Sequence, residues 1–158
     1  MALDKIQDPK KMRHVEGHME ADYIYTAGIA GERFLEAIRD KGVLLATLCE
    51  KCHITYLPPR IYCARCFAPL KTWKEASSTG TVQTFTVVSE DANGKPLAQP
   101  KTLAFIQIDN TNGGLIHTIG EAKPEKLQIG MRVKAVFKKQ AERTGALTDI
   151  QYFKPATA

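Results

Sequence analysis

Four cysteines set as two C-x-x-C pairs constrain this chain more than any other feature. Cys49 and Cys52 lie in CEKC, Cys63 and Cys66 lie in CARC, ten residues separate the pairs, and no other cysteine occurs in the 158 residues. Each C-x-x-C turn lets two thiolates approach one ion at about 2.3 Å, and the intervening loop is long enough to form a β-hairpin that brings the second turn opposite the first. The spacing therefore predicts one structural metal site with four sulfur ligands. Zinc is the expected ion; iron takes the same ligand set, and the basic surroundings and an attached second domain favour zinc. Disulfides are the competing use of the four thiols, and a cytosolic chain rarely forms them.

Composition supports the cytosolic setting. The N-terminus, MALDKIQDPKKMRHVEGHME, mixes acids and bases without the apolar stretch of a secretory signal. No apolar run approaches the roughly 20 residues a membrane helix needs, so a cytoplasmic protein without a membrane partner is expected. Hydrophobic residues at 44% and charged residues at 25% are ordinary for a folded chain. A chain of this length buries one moderate core, or two small ones if a metal supplements the smaller. The net charge of +5 is unevenly placed. Lys41, Lys51, Arg60, Arg65, Lys71 and Lys74 face only Glu50 and Glu75 within residues 41–75, whereas residues 102–120 contain no Lys or Arg. Such a basic cluster is either a solvated face or a place to meet phosphate.

Residues 1–28 lack sustained periodicity and read as an extended arm; His14 and His18 stand four apart but have no third ligand nearby and read as an exposed pair. Phe34, Leu35 and Ile38 recur at helical spacing, which predicts an amphipathic helix over 29–42 with Gly42 at its end. Either the ribbon or another subunit must supply the surface it lies on. Residues 43–76 form the ribbon, with Pro58-Pro59 marking an extended turn between the cysteine pairs. Arg60 follows that turn, free to point toward a phosphate or to pair with Glu50 or Glu75.

From residue 77 to 155 the pattern is all β. GTVQTFTVVS (80–89), TLAFIQID (102–109), GLIHTIG (114–120), MRVKAVFKK (131–139) and ALTDIQYF (146–153) are strand-length and rich in Val, Ile, Thr and Phe. AKPEKLQIG, after the third, is a slot for a helical turn. Five short strands with an insertion after the third follow the order of an OB-fold barrel. The expected class is α+β, mainly β: an N-terminal helix, a rubredoxin-like zinc ribbon and a C-terminal five-stranded OB-fold.

The helix, the run CEKCHITYLPPRIYCARC and a barrel opening with GTVQTFTVV and continuing to LQIGMRVKAVF together resemble the DUF35 family of acyl-CoA-associated zinc-ribbon OB-fold proteins over residues 29–153. The paired prolines, Arg60 and the IGM turn are the more specific marks. The resemblance implies a non-catalytic partner of a thiolase-type enzyme, in a hetero-oligomer that holds the catalytic subunit together and helps bind coenzyme A. It carries zinc ligation onto Cys49, Cys52, Cys63 and Cys66, and a coenzyme A contact onto Arg60, Lys51 and Arg65.

Chemistry independent of that resemblance points the same way. Thiolytic acyl transfer needs a free nucleophilic cysteine and a proton-moving partner, and a closed tetrahedral site uses every thiol here. His53 reads as exposed or hydrogen-bonded to a thiolate, His117 as a satisfied strand residue, and Ser77-Ser78 as linker. The alternative is a single-stranded nucleic-acid-binding ribbon/OB-fold module. Such folds read strands with stacking aromatics in a basic groove, and the expected second and third strands offer Phe105, no cation and Asp109.

Overall fold

The structure, a computed structural model, describes Asp8, Lys10 and residues 24–91 and 93–156. His14, His18 and most of the expected arm lie outside these; residues 24–27 form no regular element and expose Ile24 and Tyr25.

Helix α1 spans Gly28–Lys41. Phe34 and Ile38, one turn apart, are its buried residues, and Arg39 and Lys41 in the last turn complement the negative end of the helix dipole. Gly42 ends it at φ 68°, a left-handed conformation that glycine adopts without strain, and its N–H donates to the Ile38 carbonyl at 3.0 Å. Strands β1 (Leu44–Cys49), β2 (Ile54–Tyr56) and β3 (Thr72–Ala76) form an antiparallel sheet in the order β2-β1-β3.

Strands β4 (Thr79–Glu90), β5 (Pro96–Ile108), β6 (Gly114–Ile119), β7 (Arg132–Phe137) and β8 (Ile150–Pro155) close into a barrel ordered β4-β5-β6-β8-β7. The β6–β8 pairing, Ile119 beside Phe153, is the one parallel pairing among them. This is the expected five-stranded OB-type ring.

Two details differ from expectation, the start of β5 and the start of the last strand. The β4–β5 hairpin is longer, because β5 begins at Pro96 rather than Thr102. Pro96 and Pro100 argue against a central strand, but they lie where no second strand borders β5 among the described residues, so their missing N–H groups are tolerated. The slot after β6 holds the expected helical turn, a 3₁₀ turn over Pro124–Lys126. The last strand starts at Ile150 because Leu147–Asp149 form a 3₁₀ turn. The fully buried Asp149 carboxylate accepts N–H groups of Thr144, Gly145 and Ala146 at 2.9, 2.7 and 3.1 Å, so the chain winds around it instead of extending.

The helix rests on its own chain. Phe34 and Ile38 share one core with Leu44, Ala46 and Leu57 of the ribbon region and with Val82, Ile106, Ile108 and Phe153 of the barrel. A second, much smaller cluster contains Cys49, Tyr56, Cys63 and Leu70. Ribbon and barrel are also tied through backbone: the Asn112 N–H donates to the Thr55 carbonyl at 2.6 Å.

Candidate metal centre

β1 delivers Cys49 at its end and the turn that follows delivers Cys52, while the loop between β2 and β3 carries Cys63 and Cys66. The cross-loop contacts that hold the second pair are Cys63 N–H to the Ala68 carbonyl, 2.9 Å, and Phe67 N–H to the Cys63 carbonyl, 3.0 Å. His53 and Phe67, the residues after each pair, take left-handed backbone at φ 56° and 58°, which turns each knuckle back on itself. The result brings all four Sγ atoms within 4.8 Å of one another, none in a disulfide.

The dimensions fit a tetrahedral ion. Cys49 Sγ and Cys66 Sγ are 3.7 Å apart, and a regular tetrahedron with bonds of about 2.3 Å has edges of about 3.8 Å. Cys49 and Cys63 are buried, Cys52 and Cys66 half-buried. Backbone amides already point at sulfur, Cys52 N–H toward Cys49 and Arg65 N–H toward Cys63, each at 3.4 Å.

The protonation pattern shows what the cluster needs. The Cys63 thiol is drawn down to about 6, chiefly by the Tyr56 hydroxyl. The Cys52 thiol is pushed up to about 12, first by its hydrogen bond with Cys66 and then by burial. Burial also pushes Cys49 up. Several thiolates cannot share this small volume unless a cation neutralises them, and a divalent ion with sulfur affinity does so. The four residues would hold such an ion, which would supply rigidity to the knuckles. With all four positions taken by protein, such an ion would have no ligand position left for substrate.

Two residues that support the site are not marked by motif spacing. The Tyr56 hydroxyl lies 3.3 Å from Cys63 Sγ and accepts the Ala64 N–H at 3.2 Å. Thr47, fully buried, accepts the Arg60 N–H at 3.0 Å. The only sequence signal for Tyr56 is an aromatic side chain in a short strand beside a knuckle.

Of the cations singled out from sequence, Lys51 and Arg65 sit on the two knuckles and Arg60 on the loop between them, all exposed. The Arg60 guanidinium stacks over the Tyr56 ring at 5.3 Å and forms no ion pair with Glu50 or Glu75 among the described residues. Glu50 instead accepts the Thr72 hydroxyl. His53 is exposed and makes no hydrogen bond to a sulfur. His117 pairs across from Ala104, and its Nε2 reaches the Leu147 carbonyl at 3.3 Å, as a satisfied strand residue would. On the β5–β6 face the longer β5 adds Lys101, and Asp109 is engaged by Arg132.

Residues 73–138 match the family described as ChsH2, C-terminal OB-fold domain. A "DUF35 domain-containing scaffold protein" of Methanocaldococcus jannaschii is 30% identical over 125 residues, covering 75% of this chain and 85% of that protein. The chain belongs to the DUF35 family. A second DUF35 domain-containing scaffold protein, from Pyrococcus furiosus, is 27% identical over 110 residues, 70% of this chain and 79% of that one. Among solved structures, a DUF35 protein of unknown function from Sulfolobus solfataricus superposes with a TM-score of 0.59 at 28% identity, covering 69% of this chain and 78% of that one. The Ltp2-ChsH2(DUF35) aldolase shares the fold, with a TM-score of 0.58 at 22% identity over 79% of this chain and 93% of that one.

No helix among the described residues is long and apolar enough to cross a membrane.

Proposed function

We propose that this DUF35 protein is the non-catalytic, zinc-binding scaffold subunit of a cytoplasmic thiolase-type acyl-CoA complex, where it stabilises the catalytic subunit and helps bind coenzyme A. The observation that carries the reading is the convergence of all four cysteines within 4.8 Å. A chain whose every thiol is committed to an ion has none with which to attack a thioester, so the nucleophile belongs to another chain. The description of its relatives as scaffold proteins, and the pairing of Ltp2 with a DUF35 chain in an aldolase, support the assisting role. Arg60, Lys51 and Arg65 are the cations offered to the phosphates of coenzyme A. By resemblance in overall size and domain order, the reaction served is benzoylsuccinyl-CoA thiolysis in anaerobic toluene degradation.

The test is coexpression with the thiolase-type protein encoded beside this chain. A stable hetero-oligomer with thiolytic activity, zinc bound to this subunit and no activity in the subunit alone, is the expected result. Turnover of an acyl thioester by the isolated chain would overturn the reading.

A further inference from the structure

Phe67 is 77% exposed and sits at φ 58°, two conditions that each disfavour a large aromatic residue. The backbone conformation has a local reason, since the Phe67 N–H closes the knuckle onto the Cys63 carbonyl at 3.0 Å. The ring has none: glycine would make the same turn without strain and without exposing apolar surface. Two neighbours in the same loop repeat the pattern, with Ile61 43% and Tyr62 58% exposed. The loop is well braced, by the Tyr62–Pro69 bridge and by the Leu70 N–H on the Ile61 carbonyl at 2.8 Å. From Arg60 to Lys71 it carries Arg60, Arg65 and Lys71 and no carboxylate, and none of these cations has an ion-pair partner among the described residues.

From these features we infer that the 60–71 loop is a protein-docking knuckle, in which Phe67 enters an apolar pocket rimmed by carboxylates on the catalytic subunit. The inference rests on the scaffold reading and deepens it. Aromatic residues flanked by arginine are the composition of interface anchors. A rigid loop loses little conformational entropy on docking. Lys71, the exposed loop cation not offered to coenzyme A, matches an acidic rim, which steers association and orients it. Strained backbone kept under an exposed ring points to use of the ring.

Phe67→Gly separates docking from a structural role because the two move in opposite directions. Removing a strained, exposed side chain leaves the melting temperature of the metal-loaded chain unchanged or raised by about 2–4 °C. Affinity for the neighbouring-gene thiolase subunit, measured by titration calorimetry on the full chains, falls at least about tenfold. Lys71→Glu slows association and flattens its salt dependence. If the native chain binds that subunit and Phe67→Gly binds equally well, the docking knuckle is overturned while the scaffold reading stands. If the native chain does not bind at all, both fall. A self-dimer that Phe67→Gly dissolves, or binding of a single-stranded oligonucleotide that Phe67→Gly abolishes, would assign the loop to a different occupant and overturn the inference.

Discussion

The Tyr56 hydroxyl lies 3.3 Å from the Sγ of Cys63 while accepting the Ala64 N–H, so one phenol joins the short strand β2 to the second knuckle. The contact favours Cys63 thiolate and is the largest cause of its lowered pKa. Tyr56→Phe removes the hydroxyl with little change of shape. Metal affinity is expected to fall about tenfold, as when outer partners of metal ligands are lost. Competition with a chromogenic chelator measures it; unchanged affinity would reduce Tyr56 to packing.

Metal removal is expected to be felt locally. The knuckle cluster contains only Cys49, Tyr56, Cys63 and Leu70 as buried residues, too few to hold the loops without an ion contributing on the order of 10 kcal/mol. Helix α1 and Leu44 and Ala46 of β1 are packed into the barrel core. Cys49→Ser should therefore lose the metal and open the second knuckle to protease while the barrel amides stay protected from hydrogen exchange. A variant that kept a protected 60–71 loop without metal would contradict this.

How much of this could be read from residues alone depended on how local the determining physics was. The four-cysteine cluster was legible because C-x-x-C fixes its geometry within three residues, and the barrel strands because β-branched and aromatic runs are broken by Gly and Asn. The start of β5 was not, since Pro96 and Pro100 forbid a central strand but not an outer hairpin. Nor was the turn before β8, where alternation suggests a strand yet three N–H groups converge on the Asp149 carboxylate. Tyr56 escaped notice because its bond to Cys63 exists only after the ribbon folds. The support beneath α1 was open for the same reason: Phe34 and Ile38 announce a buried face, not what covers it.

Arg60 illustrates how a fold can hold a residue by its backbone and leave its charge available. Its N–H is fixed by Thr47, and the guanidinium rests on Tyr56 at 5.3 Å. Arg60→Ala forfeits one exposed cation–π contact, at about 0.5–1 kcal/mol. Stability should change by no more than that, whereas the apparent KM of the assembled complex for its coenzyme A thioester should rise severalfold with kcat held. A fall in stability with KM unchanged would return Arg60 to a structural part.

The barrel seam predicts a response to acid. Arg132 of β7 makes a two-pronged ion pair with Asp109 at the end of β5, and the Thr79 hydroxyl donates to the same carboxylate. The Arg132 bond holds the Asp109 carboxyl below its usual value. The unfolded chain then binds that proton more tightly than the folded one, so the contribution is complete above about pH 4 and is lost as pH falls through the lowered folded value. Asp109→Asn should flatten urea-measured stability between about pH 5 and pH 2, most visibly at its lower end. An identical acid profile would show the pair to be idle.

The last prediction concerns the joint between ribbon and barrel. Gly113 lies so close to the ribbon that a Cβ there would collide with the Leu57 carbonyl oxygen, a backbone atom that cannot swing aside. The adjacent Asn112 N–H donates to the Thr55 carbonyl at 2.6 Å, so relieving the clash means breaking a hydrogen bond between the two units. Gly113→Ala is expected to destabilise the chain by about 1–3 kcal/mol, the range for overpacking a tight site. Gly94, at the tip of the β4–β5 hairpin, is the control: a Cβ there would meet nothing within 4 Å, and the substitution loses only the backbone preference of φ +73°. Thermal melts of the two variants should differ in that order, and the Gly113→Ala protein should show faster hydrogen exchange at Asn112. Equal melting temperatures would mean that the ribbon and barrel are joined through the shared side-chain core alone.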